Sequence, residues 1–178
     1  MRNIPEFFDN YHLPDGVYEC TIEEIEHRFL FSKKRVYVWG LFKKLLDRLI
    51  SLGLKPKTIL IDGSFVTARE EPGDVDFAAL IPPETVITAL ADIKDDHDKQ
   101  GIYLFANPNN ADAIRSLFGS HFLIAENEEY LNAWANFFQK GGNHGRLRDR
   151  DPERDPEWVI IPRSKGILKV HLDGGDFK

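Results

Sequence analysis

The sequence predicts an α+β fold, with a mixed β-sheet flanked by helices and a helical N-terminal part. Three observations carry this. Helical spacing dominates the first third of the chain, where Val38, Leu41, Phe42, Leu45, Leu46 and Leu49 recur at three and four residues. Short continuous apolar runs, Thr58–Asp62 and Val75–Ile81, dominate the centre. No repeat and no long linker divides the 178 residues, so one domain accounts for the length. We divide it into an N-terminal helical part over 1–56, a core over 57–125 and a C-terminal part over 126–178.

Residues 1–16 read as irregular, with turn chemistry at Leu13-Pro14-Asp15-Gly16. Thr21 and Glu24 form a capping box that opens a helix over about 21–30. A second helix covers about 34–52 and stops at Gly53. Thr58–Asp62 is a buried strand, broken by Gly63-Ser64. Glu70-Glu71-Pro72-Gly73 is a turn, and Val75–Ile81 is the next strand. Pro82-Pro83 ends it, and a helix runs from Glu84 to about Asp95. Ile102–Phe105 reads as a third strand. A helix over about 110–118 leads to a fourth, His121–Ala125, and Glu128–Gln139 is helical. Residues 140–157 form a charged loop, followed by short strands at Trp158–Ile161 and Gly166–Leu172.

Composition excludes several classes. Acids outnumber bases 29 to 23, which argues against general DNA binding. The single cysteine, Cys20, permits no internal disulfide and no multi-cysteine zinc site. It reads as a buried small residue. No apolar run reaches the ~20 residues that span a bilayer, and the polar N-terminus is no signal peptide. A cytoplasmic protein without a membrane partner is expected. The six histidines show no metal spacing, and Gly141–Gly145 lacks the ending of a phosphate-binding P-loop. Trp134, Phe137 and Phe138 read as core, and the acids at 92, 95, 96 and 98 as solvated surface.

One constellation carries chemistry. Ile61-Asp62-Gly63-Ser64 is followed by nine residues and then Asp74-Val75-Asp76. Carboxylates at i and i+2 of a strand share a face and suit one hard divalent cation. Gly63 allows close backbone approach to a phosphate, to which Ser64 can donate. Arg69 lies between the two motifs, where a cation can meet a phosphate. Metal, held phosphates and an activated nucleophile are the parts that phosphoryl or nucleotidyl transfer needs.

This ordered set resembles the signature of the polymerase-beta-like nucleotidyltransferase superfamily in its minimal bacterial form. A longer series runs from Leu13-Pro14-Asp15-Gly16 through Thr21–Phe29, Asp62–Thr67 and Pro72–Asp76 to Lys165-Gly166-Ile167. It is similar to a family of small nucleotidyltransferase-like bacterial proteins. The resemblance implies Asp74 and Asp76 as metal-binding catalytic carboxylates, with Gly63 and Ser64 at the triphosphate. It implies Mg²⁺, an NTP substrate and transfer of NMP to a hydroxyl of protein or RNA. The partner would be a protein or tRNA in a toxin–antitoxin or phage-defence pair. Active members add a third carboxylate from a later strand, which neither Ile102–Phe105 nor His121–Ala125 contains. Glu126 and Asp62 are the substitutes. Without one, the chain is a degenerate copy of the fold that binds a partner or senses a nucleotide. The alternating charges of 140–157 read as a solvated, self-paired segment; alternatively it is a lid or partner-binding arm in which Arg146 and Arg148, with Arg163, Lys165 and Lys169 nearby, offer a face for RNA or nucleotide phosphates.

Overall fold

The structure is a computed structural model that describes residues 3–140 and 164–172. Within them the chain forms strand β1 (Gly16–Glu19), helices α1 (Ile22–Phe29) and α2 (Lys33–Ser51), and strands β2 (Thr58–Asp62) and β3 (Asp76–Leu80). Helices α3 (Pro83–Asp92), α4 (Asp96–Ala106) and α5 (Ala111–Phe118) follow, then β4 (His121–Ala125), α6 (Glu128–Gln139) and β5 (Gly166–His171). The mixed α+β class stands as expected.

Local chemistry sets the helix starts. The Thr21 hydroxyl accepts from the Glu24 N–H, and the Glu24 carboxylate accepts from the Thr21 N–H, at 3.2 and 3.0 Å. Ser32 caps α2 by accepting from the Arg35 N–H. The inner stripe of α2 includes Val38, Trp39, Phe42, Leu45, Leu46 and Leu49, all buried. Trp39 stacks on Phe42 and Phe65 at 4.6 and 5.2 Å, and Phe42 meets Phe77 edge-on at 4.9 Å.

The sheet order is β1-β5-β2-β3-β4. β1 runs parallel to β5 and β3 parallel to β4, while β2 is antiparallel to both its neighbours. β2 is buried along its whole length, which explains its unbroken apolar run. Alternation divides its residues between two cores. Ile59, Ile61, Phe77 and Phe122 belong to the larger one, with α2. Leu60, Ala78, Leu80, Ala125 and Ile167 join Leu131, Ala135 and Phe138 of α6 in the smaller one.

Four expectations change. Ile102–Phe105 is not a strand but part of α4. Asp95 caps that helix by accepting from the Asp98 N–H, and Ile102 and Phe105, three residues apart, are buried while Tyr103 faces out. β1 occupies residues that carried no strand signal, because four residues of half-buried alternation are too few to stand out. Phe137 is exposed; only Phe138 of the α6 aromatics is fully buried, and half-buried Trp134 donates to the Ile124 carbonyl at 3.1 Å. Asp98 of the acidic patch is not merely solvated, since it pairs with Arg48 at 2.7 Å.

Cys20 is buried as expected, and burial pushes its thiol up to about 12. No helix among the described residues is long and apolar enough to cross a membrane. The expected strand at Trp158–Ile161 and the charged loop, beyond Lys140 itself, lie outside the described residues.

Candidate functional site

Strand pairing brings the central carboxylates together. Asp62, the last residue of β2, stands opposite Asp76, the first residue of β3. Asp76 in turn stands opposite His121, the first residue of β4. Directly opposed residues in a sheet share a face, so three polar side chains line up across three strands. Their face is that of Leu60 and Ala78, which α6 covers further along.

Each carboxylate of the cluster has a basic neighbour. Lys165 bonds Asp62 through Nζ and Oδ1, and both side chains are largely buried. Arg115 of α5 brings Nε within 2.7 Å of Asp74 Oδ2. His121 Nδ1 lies 3.0 Å from Asp76 Oδ1. Burial pushes the Asp62 carboxyl above its usual range, with Lys165 opposing and the Asp76 charge adding to the rise. Burial, and then the Asp76 charge, raise Asp74 against the pull of Arg115 and His121. His121 is raised in turn, first by its hydrogen bond with Asp76.

The loop after β2 is shaped around this cluster. Gly63 has φ +79°, and a Cβ there would overlap the Asp76 carboxylate. Only glycine lets Asp76 lie directly over the strand end. Gly63–Val66 then forms a 3-10 turn that starts with Gly63 and half-buried Ser64. The turn is fastened from behind by Arg35, which is wholly buried. Arg35 Nη1 donates to the carbonyls of Phe29 and Phe65, Nη2 to those of Ser64 and Thr67, and Nε to that of Arg69. Its guanidinium carbon also lies 4.2 Å from the Phe31 ring centre and 5.1 Å from that of Phe65.

Two distant segments close the site from the other side. The Gly166 N–H donates to the Leu13 carbonyl at 3.0 Å, and a Cβ on Gly166 would overlap Pro14 and Leu13. Asp15 Oδ1 accepts from Ser164 Oγ at 2.5 Å and from Gln139 Nε2 at 3.0 Å. The scattered series of the sequence, Leu13–Gly16, Asp62–Ser64 and Lys165-Gly166, therefore converges in space.

Of the residues expected at the site, the structure gathers Asp74, Asp76, Gly63 and Ser64. The backbone of Arg69 is anchored on the α2 side, its carbonyl bonded to Arg35 and its N–H to Thr67 Oγ1. Glu126 is not brought in. Because β4 runs parallel to β3, with Leu80 opposite Ala125, Glu126 lies past the far end of β3. That is five residues from the level of Asp76, or about 16 Å. The third carboxylate at the site is Asp62. Arg35, Arg115 and His121 escaped notice in the sequence, since no spacing links them to the motif; Lys165 was visible as one member of the series and of the basic face, but not as the partner of Asp62.

Among the described residues, no group of three or more His, Cys, Asp or Glu is arranged to hold a metal ion. The pair Asp74 and Asp76 nevertheless fits Mg²⁺ brought in with phosphates, which needs only one or two carboxylates. Asp74 Oδ2 is buried and ion-paired with the Arg115 guanidinium at 2.7 Å, without a well-aligned hydrogen bond. A buried carboxylate oxygen in that state, beside a second carboxylate, suits a cation. Cavities of about 180 and 320 Å³ open elsewhere, against α1 and against the β1–α1 junction, and neither is lined by these carboxylates.

Residues 5–171 match the model of a family described as a family of unknown function (DUF6932), and the chain belongs to that family. No curated protein and no solved structure matches the chain.

Proposed function

We propose that this DUF6932 member binds a nucleoside triphosphate with Mg²⁺ and transfers NMP to a hydroxyl of a protein or RNA. The observation that carries this reading is the register of β2 and β3. It sets Asp62 opposite Asp76, with Gly63-Ser64 beside them and Asp74 two residues upstream. Asp74 and Asp76 would hold the Mg²⁺. Bound there, the ion supplies charge neutralisation for the triphosphate.

The chain's own groups do the rest. Ser64 and the backbone at Gly63 donate to the phosphates. Asp62, whose carboxyl is raised by burial, accepts the proton of the acceptor hydroxyl. The acceptor oxygen bonds to the α-phosphorus as the bond to the bridging oxygen breaks, and pyrophosphate leaves with that electron pair. The superfamily resemblance adds the setting, a toxin–antitoxin or phage-defence pair with a protein or tRNA acceptor.

A second reading rests on a different observation. Lys165 and Arg115 already pair with Asp62 and Asp74, and His121 hydrogen-bonds Asp76. A site whose acids are each partnered from within suits a degenerate fold that binds a partner protein or senses a nucleotide. One experiment separates the readings. The protein is incubated with α-³²P-labelled NTPs, Mg²⁺ and a cell lysate. Label transfer that disappears in Asp76→Ala is the expected result. A nucleotide-dependent thermal shift without transfer points to a sensor. Neither transfer nor shift with any NTP overturns the enzyme and leaves the partner-binding fold.

A further inference from the structure

Lys165 is delivered to the site by a main chain fixed on both sides. Its own N–H donates to the Gln139 carbonyl at 2.9 Å, at the end of α6. Ser164 before it is tied to Asp15, and Gly166 after it is pressed against Leu13 and Pro14. The ammonium meets Asp62 where the two side chains retain only 14% and 11% of their exposure.

Such a buried pair is a poor device for stability. Stripping water from two ions offsets most of their attraction, and a well-packed apolar pair of the same size often serves as well. The placement makes better sense at the opposed Asp62 and Asp76, where a second and stronger cation is to arrive. An ammonium and a divalent ion compete for the same negative charge. A lysine stem is also long and flexible enough to turn its charge toward a neighbouring phosphate.

We propose that Lys165 is an exchangeable counter-ion, an inference that rests on the nucleotide-site reading above. It neutralises Asp62 while no divalent ion is bound. It leaves Asp62 for the triphosphate when the metal and nucleotide enter. Lys165 thus couples metal entry to phosphate binding through its own contact with the triphosphate.

The test uses the full chain and Mn²⁺ as a probe, with binding measured by electron paramagnetic resonance or calorimetry. Lys165→Met and Lys165→Gln remove the charge and keep most of the side-chain volume, and thermal melting checks that both fold. Without nucleotide, both variants bind Mn²⁺ roughly tenfold tighter than the wild type, because one competing positive charge is gone. With saturating Mn²⁺, both bind an α,β-methylene NTP analogue roughly tenfold more weakly, because a phosphate ligand is gone. Folded variants with unchanged or weaker Mn²⁺ affinity overturn the exchange, while Mn²⁺ binding lost in Asp76→Asn still upholds the site. If neither wild type nor variants bind Mn²⁺, the site reading falls and the exchange falls with it.

Discussion

Gly63 is the residue on which the geometry of the cluster turns. Two separate constraints meet there, a left-handed backbone at φ +79° and the Asp76 carboxylate occupying the space of a side chain. Either constraint alone disfavours any other residue; together they couple the turn after β2 to the Asp76 carboxylate. Gly63→Ala is expected to lower stability by about 2 kcal/mol in urea unfolding, from left-handed strain and displacement of Asp76. It should also abolish nucleotide-dependent thermal shifts in the protein that remains folded. A variant with wild-type stability and a wild-type nucleotide response would show that the contact with Asp76 is unimportant. His121 belongs to the same scale. In the sequence it is one of six scattered histidines, and only the parallel register of β4 places it on Asp76.

At the scale of elements, the junction between α2 and the loop after β2 stands out. Arg35 has no acidic partner among the described residues. Here the charge of Arg35 is met by five backbone carbonyls, four of them from the Ser64–Arg69 stretch. Burial lowers its pKa to about 10, so it stays charged at neutral pH. Arg35→Met leaves those carbonyls without their donor and is expected to cost about 3 kcal/mol or more by chemical denaturation. Arg35→Lys keeps the charge but loses the planar fork, and should fall between the two. Equal stability of all three proteins would contradict the role given to Arg35. Element by element, the sequence was most readable where a period repeats. The stripe of α2 and the buried runs of β2 and β3 stand close to their expected bounds. Ile102–Phe105 misled because four apolar residues in a row satisfy either a strand or a helix, and the Asp95 cap decides for the helix. β1 was too short to announce itself.

At the scale of the molecule, the site is a product of topology. The Gly-Ser and Asp-x-Asp motif was readable from spacing alone, since it lies within one short stretch. Its third acid was legible only as two alternatives, Glu126 and Asp62, because the strand direction and register that choose between them are written nowhere in local sequence. An antiparallel β2–β3 pair places Asp62 on Asp76, and a parallel β3–β4 pair carries Glu126 away from it. Likewise, Leu13–Gly16 and Lys165-Gly166 meet only because β1 and β5 pair in parallel, with Gly16 opposite Gly166. The fold thus gathers three acids from the end of β2, the start of β3 and the residues just before β3, and places a basic partner on each. The most direct test of that site is an anomalous difference map from a crystal grown with Mn²⁺ and an α,β-methylene NTP analogue. The account predicts an ion bound by Asp74 and Asp76, with the triphosphate at Gly63-Ser64 and Lys165 turned from Asp62 toward it. A map with no ion there, and with Arg115 and Lys165 still seated on Asp74 and Asp62, would contradict it.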